Sequence, residues 1–251
     1  MKISGNTVLI TGGATGIGFH LAEEFVRRGN EVIICGRRQD KLAEAQSKLP
    51  SLSTRVCDVA DPLDREALYN WVAANYGHIN ILVNNAGIQR MIDLRKGLRE
   101  LDSGENEIEV NLTAAVYLSA SFIPAFLERT EAAIVNISSG LGFVPIAVMP
   151  VYCATKAAIH SFSLSLRRQL KDTPVRVFEI IPPTVDTELD RGARARRGQA
   201  HRGIPPSEVA AAALTALEEN RYESAIGQAA GLVEESKTGF EAAFNRLNSW
   251  T

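Results

Sequence analysis

The stretch TVLITGGATGIGFHLAEEFVRRGNEVIICGRR, from Thr7 to Arg38, decides the fold. A β-branched run, Thr7–Thr11, meets a turn punctuated by glycines and passes into a helical pattern predicted over Gly16–Arg28. A second apolar run, Glu31–Gly36, completes a strand–helix–strand unit. Parallel neighbours need such a crossover helix, so the unit predicts a parallel sheet. Gly12, Gly16 and Gly18 permit a tight turn and let the backbone approach a diphosphate seated on the helix N-terminus. Thr15 and Ile17 lie between them and are assigned to the same cradle. The spacing is G-x-x-x-G-x-G, not G-x-G-x-x-G, because Leu21 stands where a third glycine of the latter would fall. Taken alone, the string also fits an ordinary glycine-rich turn.

The alternation continues along the chain. Further strands are predicted at Ser53–Cys57, Asn80–Val83, Ala132–Ile137, Val175–Ile180 and Glu223–Gly227. Helices are predicted at Gln39–Lys48, Pro62–Asn75, Glu105–Leu127, Pro150–Leu170, Ser207–Glu219 and Gly231–Asn248. The expectation is an α/β fold: a doubly wound, mostly parallel, seven-stranded sheet of Rossmann type, in one domain over residues 1–251. Ligands of such sheets bind at the carboxyl ends of the strands.

With 251 residues, 45% hydrophobic and 22% charged, the chain has ample apolar surface for a core. A net charge of −2 gives no reason to expect nucleic acid or an anionic membrane. No apolar run approaches the roughly 20 residues of a spanning helix, and MKISGNTVLI lacks the parts of a signal peptide. Cys35, Cys57 and Cys153 read as reduced structural thiols with neither disulfide nor metal-site spacing. A cytoplasmic enzyme without a metal is the expectation.

The second strand ends about 20 residues past the glycines, where a ribose-reading residue belongs. An acid there would accept from the 2′-hydroxyl of NAD. This chain places Arg37 and Arg38 instead, which suit a 2′-phosphate. NADP(H) is therefore predicted over NAD(H); the competing reading has solvated arginines and Asp40 on the ribose. Asp58, with Val59 beside it, follows the third strand as an adenine partner. The NNAG run follows the fourth, and Asn85, Ala86 and Gly87 are assigned to the cofactor channel.

YCATK, from Tyr152 to Lys156, sets a phenol and an ammonium at i and i+4 on one helix face. A fixed cation lowers the pKa of a phenol, which is near 10 when free. Tyr152 then exchanges a proton with a substrate oxygen during hydride transfer; Lys156 is long enough to reach the cofactor ribose hydroxyls, and both residues are assigned to the cofactor site as well. Ala154, Ala158, Phe162, Leu166 and Leu170 form an i+4 apolar stripe predicted to face the core, with Tyr152 and Lys156 off it. His160, on the Tyr152–Lys156 face, is assigned to a helix interface. Ser138 and Ser139 end the fifth strand, where a hydroxyl can donate to a developing oxyanion. Asn111 reads either as a site amide or as a helix kink held by a satisfied core amide.

Taken together, from Thr7 to about Thr187, these motifs resemble the short-chain dehydrogenase/reductase family in its compact branch. ICGRR, VYCATKAA and IIPPTVDTEL are similar to its DltE-like subgroup. The resemblance implies a catalytic tetrad of Asn111, Ser139, Tyr152 and Lys156, with Asn111 holding a relay water. Ser139 takes the serine role through its 13-residue spacing to Tyr152. Val185 and Thr187 are implied as contacts of the nicotinamide carboxamide. Two departures stand out: Pro182-Pro183 replaces the usual Pro-Gly, and the glycine turn lacks the basic residue of many NADP-using members.

The predicted substrate is a small carbonyl or alcohol, walled by Leu141, Phe143 and Met149. Residues 188–204 are a lid candidate with Arg191, Arg194, Arg196, Arg197 and Arg202, readable as a basic flap or as a solvated charge run; His201 in it reads as solvated. Small and apolar residues on the helices at 105–127 and 150–170 predict a homodimer or homotetramer. A competing function is an NADP(H)-sensing binding protein of low turnover on the same scaffold.

Overall fold

The computed structural model describes residues 1–189 and 203–249. Seven strands, β1 (Thr7–Thr11), β2 (Glu31–Gly36), β3 (Ser53–Val56), β4 (Ile81–Asn84), β5 (Ala132–Ile137), β6 (Val175–Ile181) and β7 (Glu223–Ala225), form one sheet in the order β3-β2-β1-β4-β5-β6-β7. Every pairing is parallel, where a mostly parallel sheet was expected. The order reverses between β1 and β4, which opens a crevice at their carboxyl ends.

Alternate side chains of each strand feed two cores, as the period of 2 requires. Val8 and Ile10 face helices α1 (Gly16–Arg27), α2 (Gln39–Lys48) and α7 (Pro206–Glu218). Leu9 and Ile33 face α3 (Pro62–Asn75), α5 (Ala114–Leu127) and α6 (Pro150–Gln169). Helix α4 (Leu98–Asp102) and a 3₁₀ turn at Leu94–Lys96 occupy the long connection after β4, which the sequence pattern left without elements.

Three helical expectations need correction. The helix predicted from Glu105 contains a π-helical segment, Glu109–Thr113, before α5 begins. The helix predicted over 231–248 is two, α8 (Gln228–Thr238) and α9 (Phe240–Asn248), broken at Gly239. On α6 the buried face carries Tyr152, Thr155, Lys156, Ile159, Ser163 and Leu166, whereas Ala154 is exposed. Small alanines bury little apolar area, so Ala154 does not hold the facing, whereas Leu166 and Leu170 of the same stripe are buried as expected.

The expectation that no apolar run approaches spanning length also needs correction: Glu109–Leu127, 19 residues with mean hydropathy 1.6, is long and apolar enough by length and composition. Leu118, Phe122 and Phe126 lie buried on the sheet, while Tyr117 and Leu127 face outward. This is the pattern of a core helix whose outer face is also apolar.

Candidate active site

A cleft of about 1030 Å³ runs along the carboxyl edge of the sheet. At one end β1 turns into α1. Gly12 and Gly16 have positive φ, +63° and +56°. A Cβ on Gly12 would lie 2.9 Å from Ala86 Cα, and one on Gly16 would lie 3.0 Å from Thr187 Cγ2. The turn thus needs glycine for conformation and for space. Thr15 does not cap α1 with its side chain, and the first turn carries no acid. The helix therefore turns its orphan N–H groups and positive dipole end toward the cleft, as a diphosphate requires.

Gly12, Thr15, Gly16 and Ile17 line the cleft. Gly18 does not; it sits against the Gly12 carbonyl and the Asn85 amide, where a Cβ has no room. Arg37, Arg38, Asp58 and Val59 line the same end. Arg37 pairs with Glu105 and lies 3.9 Å from Asp58. Arg38 pairs with Glu188 at 3.0 Å and reaches Thr15 Oγ1 at 3.4 Å. Glu105 and Glu188 were not anticipated as site residues.

Mid-cleft, the NNAG run both lines and stitches. Asn85 Nδ2 donates to the carbonyls of Thr11 and Gly12 at 2.9 and 3.2 Å, and the Ala86 N–H donates to Thr11 Oγ1. Asn84 stands behind, buried, and donates to Asn136 and Ser119 across the sheet. Gly87 touches the chemical end: a Cβ there would lie 3.4 Å from Asn111 Oδ1 and 3.7 Å from Lys156 Nζ.

Tyr152, Lys156 and Ser139 converge on that end of the cleft, all nearly buried at 6%, 5% and 7% exposure. The Lys156 ammonium lies 5.7 Å from the Tyr152 ring centre and donates to the Ile137 carbonyl at 2.9 Å. Burial lowers its pKa to about 8, against an opposing pull from Glu179. Ser139 Oγ accepts from the Leu141 N–H.

Asn111 does not line the cleft. It borders a small cavity that shares Ala86, Val110 and Ile137 with the cleft. Its amide accepts from the Ile88 N–H at 2.8 Å and donates to the Ile88 carbonyl and Thr155 Oγ1 at 2.9 and 3.1 Å. Both readings of this residue meet here, since it lies in the π-helical segment and is a satisfied buried amide. Such segments recur at functional sites.

Of the predicted substrate walls, Leu141 and Met149 line the cleft, with Ile146, Leu232 and Leu247. Phe143 does not; its ring packs on His160, 4.5 Å between centroids. His160 itself faces β6, where it pairs with Glu179, and not another helix. The C-terminal helices supply a wall that the sequence pattern did not indicate. There Arg246 pairs with Glu235 at 2.6 Å, and Asn248 clamps Pro145 and Ala147 of the opposite loop.

Val185 and Thr187 reach the cleft from the loop after β6. Pro182, in place beside the serine turn, accepts from the Gly140 N–H, and Val185 pairs with Ile204. Of the lid candidate, residues 190–202 lie outside the described residues.

The sequence pattern of short chain dehydrogenases matches residues 6–198. The chain belongs to that family. It is 50% identical over 249 residues to the uncharacterized oxidoreductase DltE of Bacillus subtilis, covering 99% of both chains. It is 36% identical over 179 residues to the NADP-dependent 3-hydroxy acid dehydrogenase YdfG of Escherichia coli O6:H1, covering 71% of this chain and 72% of the relative. Among solved structures, the closed form of serine dehydrogenase complexed with NADP⁺ superposes with a TM-score of 0.79 at 31% identity, over 88% of this chain and 94% of the other. The protein is thus a dehydrogenase/reductase whose fold binds a nicotinamide cofactor.

Proposed function

We propose that the chain is an NADP(H)-dependent oxidoreductase that interconverts a carbonyl and an alcohol, with Tyr152 as acid/base. One observation carries the reading: Tyr152, Lys156 and Ser139 share a cleft with the glycine turn and with Arg37 and Arg38. The uncapped N-terminus of α1 and the close packing at Gly12 and Gly16 fit a dinucleotide phosphate. In this reading Gly12–Gly18 hold the diphosphate, with Gly18 contributing through packing. Arg37 and Arg38 hold the 2′-phosphate, and Asp58 and Val59 the adenine. Asn85, Ala86 and Gly87 line the channel, while Val185 and Thr187 meet the carboxamide.

Nicotinamide, when bound, supplies or accepts the hydride. The Tyr152 phenol exchanges the proton at the substrate oxygen, and the Ser139 hydroxyl donates to that oxygen as charge develops. Lys156 favours the phenolate through its charge. That charge is present below about pH 8 and is lost above it, so activity declines on the alkaline side. Asn111 positions the Ile88 backbone and Thr155 beneath the site, and the relay water implied by the family belongs beside it.

Exposed apolar residues Ile108, Tyr117, Leu127 and Leu164 on the segment before α5, on α5 and on α6 support a homodimer or homotetramer through this face. Three buried free thiols support a reducing, cytoplasmic setting.

The test is a turnover screen: NADP⁺ reduction with 3-hydroxy acids and serine, the substrates named for two of the relatives, and NADPH oxidation with aldehydes and ketones. Tyr152→Phe is the control. Turnover in the wild type with loss in the variant is expected; full activity of Tyr152→Phe overturns the assignment. Tight NADPH binding without turnover would instead favour the cofactor-sensing reading.

A further inference from the structure

Glu179 is a carboxylate with no exposed surface, in the middle of a strand that otherwise buries apolar side chains. A charge in such a place persists only when it is paired and hydrogen-bonded. Groups from three elements meet it. Ser138 Oγ, at the end of β5, donates to Oε1 at 2.5 Å. His160 Nδ1, on α6, donates to Oε2 at 2.8 Å. Lys156, one turn before His160 on the same helix, donates to the carbonyl of Ile137, the residue next to Ser138, and the carboxylate charge raises its pKa against the effect of burial. From β7 the exposed Glu223 also approaches, its oxygen within 4.8 Å of the His160 and Glu179 atoms.

Two of these partners are next to the proposed reacting groups, and the third packs behind them. Ser138 precedes Ser139, Lys156 adjoins Tyr152, and His160 carries the ring of Phe143. We propose that Glu179 is a positioning residue for the reaction: clamped by Ser138 and His160, it is the buried counter-charge of Lys156 and fixes the turn carrying Ser139. The inference rests on the tyrosine mechanism proposed above. Among the charges around Lys156, Glu179 alone opposes the effect of burial.

The experiment is the pH profile of kcat for the wild type, Glu179→Gln and His160→Arg. Without the carboxylate charge Lys156 loses its proton at lower pH. Glu179→Gln should move the alkaline limb down by about one unit, giving a loss of about fivefold at pH 8 that recovers near pH 6. His160→Arg keeps the carboxylate but fixes a cation on it, at a position that is partly exposed. It should move the limb the same way by about half as much, so the idea stays testable if Glu179→Gln does not fold. A loss of equal size at pH 6 and pH 8 in the variants that fold would mean a purely structural role and overturn the proposal. An unmoved profile would overturn it as well. Tyr152→Phe, run in parallel, tests the tyrosine by activity at every pH, so failure of that assignment stays separate from failure of the counter-charge.

Discussion

The two ends of the cleft hold their charges in opposite ways. At the chemical end Lys156 is 5% exposed and donates to the Ile137 carbonyl, while Glu179 is fully buried and accepts from Ser138 and His160. At the phosphate end the side chains of Arg37 and Arg38 are 42% and 53% exposed, and both pair with surface carboxylates. Buried polar groups are costly to leave unpartnered, whereas exposed pairs contribute ~0–1 kcal/mol and weaken in salt. The first end is built for one geometry. The second can exchange partners, as the proposed 2′-phosphate site requires.

Changes at the chemical end should accordingly be the larger. Tyr152→Phe removes the proton donor and should lower kcat by about 10³-fold, roughly 4 kcal/mol of barrier, with cofactor affinity retained. Steady-state kinetics beside NADPH fluorescence titration measure both. Affinity lost in parallel with rate would show that the phenol organises the cofactor site instead of the chemistry.

Asn111→Ala comes next. It strips partners from the Ile88 N–H and carbonyl and from Thr155, inside a buried segment. The expected cost is about 2–3 kcal/mol of folding stability. Denaturant unfolding measures it, and a variant as stable as the wild type would place Asn111 in the exchangeable class.

At the phosphate end, replacing Arg37 and Arg38 together by Gln should raise KM for NADPH by about 10–30-fold, roughly 1.5–2 kcal/mol, and leave KM for NADH nearly unchanged. Equal losses with both cofactors would break the contrast, because the arginines would then be reading something common to both.

How much of this was legible in the sequence also divides along the cleft. The glycine turn and first three strands lie close to where residues 7–57 place them, since β-branched runs and glycines act locally. Tyr152 and Lys156 are neighbours because helical spacing makes them so. The apolar stripe on α6 reads correctly at its C-terminal half, where Leu166 and Leu170 are buried and Phe162 packs on the core, and fails at Ala154, which is exposed while Tyr152, Thr155 and Lys156 turn inward. The acids were not legible either. Glu105 lies 68 positions from Arg37 and Glu188 lies 150 from Arg38, and no periodicity reports such pairs. One signal did exist: Glu179 interrupts the apolar strand VRVFEII, and a carboxylate there demands partners.

The smallest effect is the sharpest test of the exchangeable end. Glu188 holds Arg38 at 3.0 Å across the mouth of the cleft, with both side chains close to half exposed. A 2′-phosphate claiming that guanidinium must displace the carboxylate. The pair is worth only a fraction of a kcal/mol in water, so Glu188→Gln should tighten NADPH binding by no more than about two- to threefold. The gain should fade as salt rises, because added ions screen the wild-type pair too. Binding of NADH, which brings no second phosphate to Arg38, should not change. Isothermal titration at two salt concentrations reads all three outcomes. If Glu188→Gln instead weakens NADPH, the carboxylate is orienting Arg38 toward the phosphate. The rim would then share the fixed geometry of the chemical end.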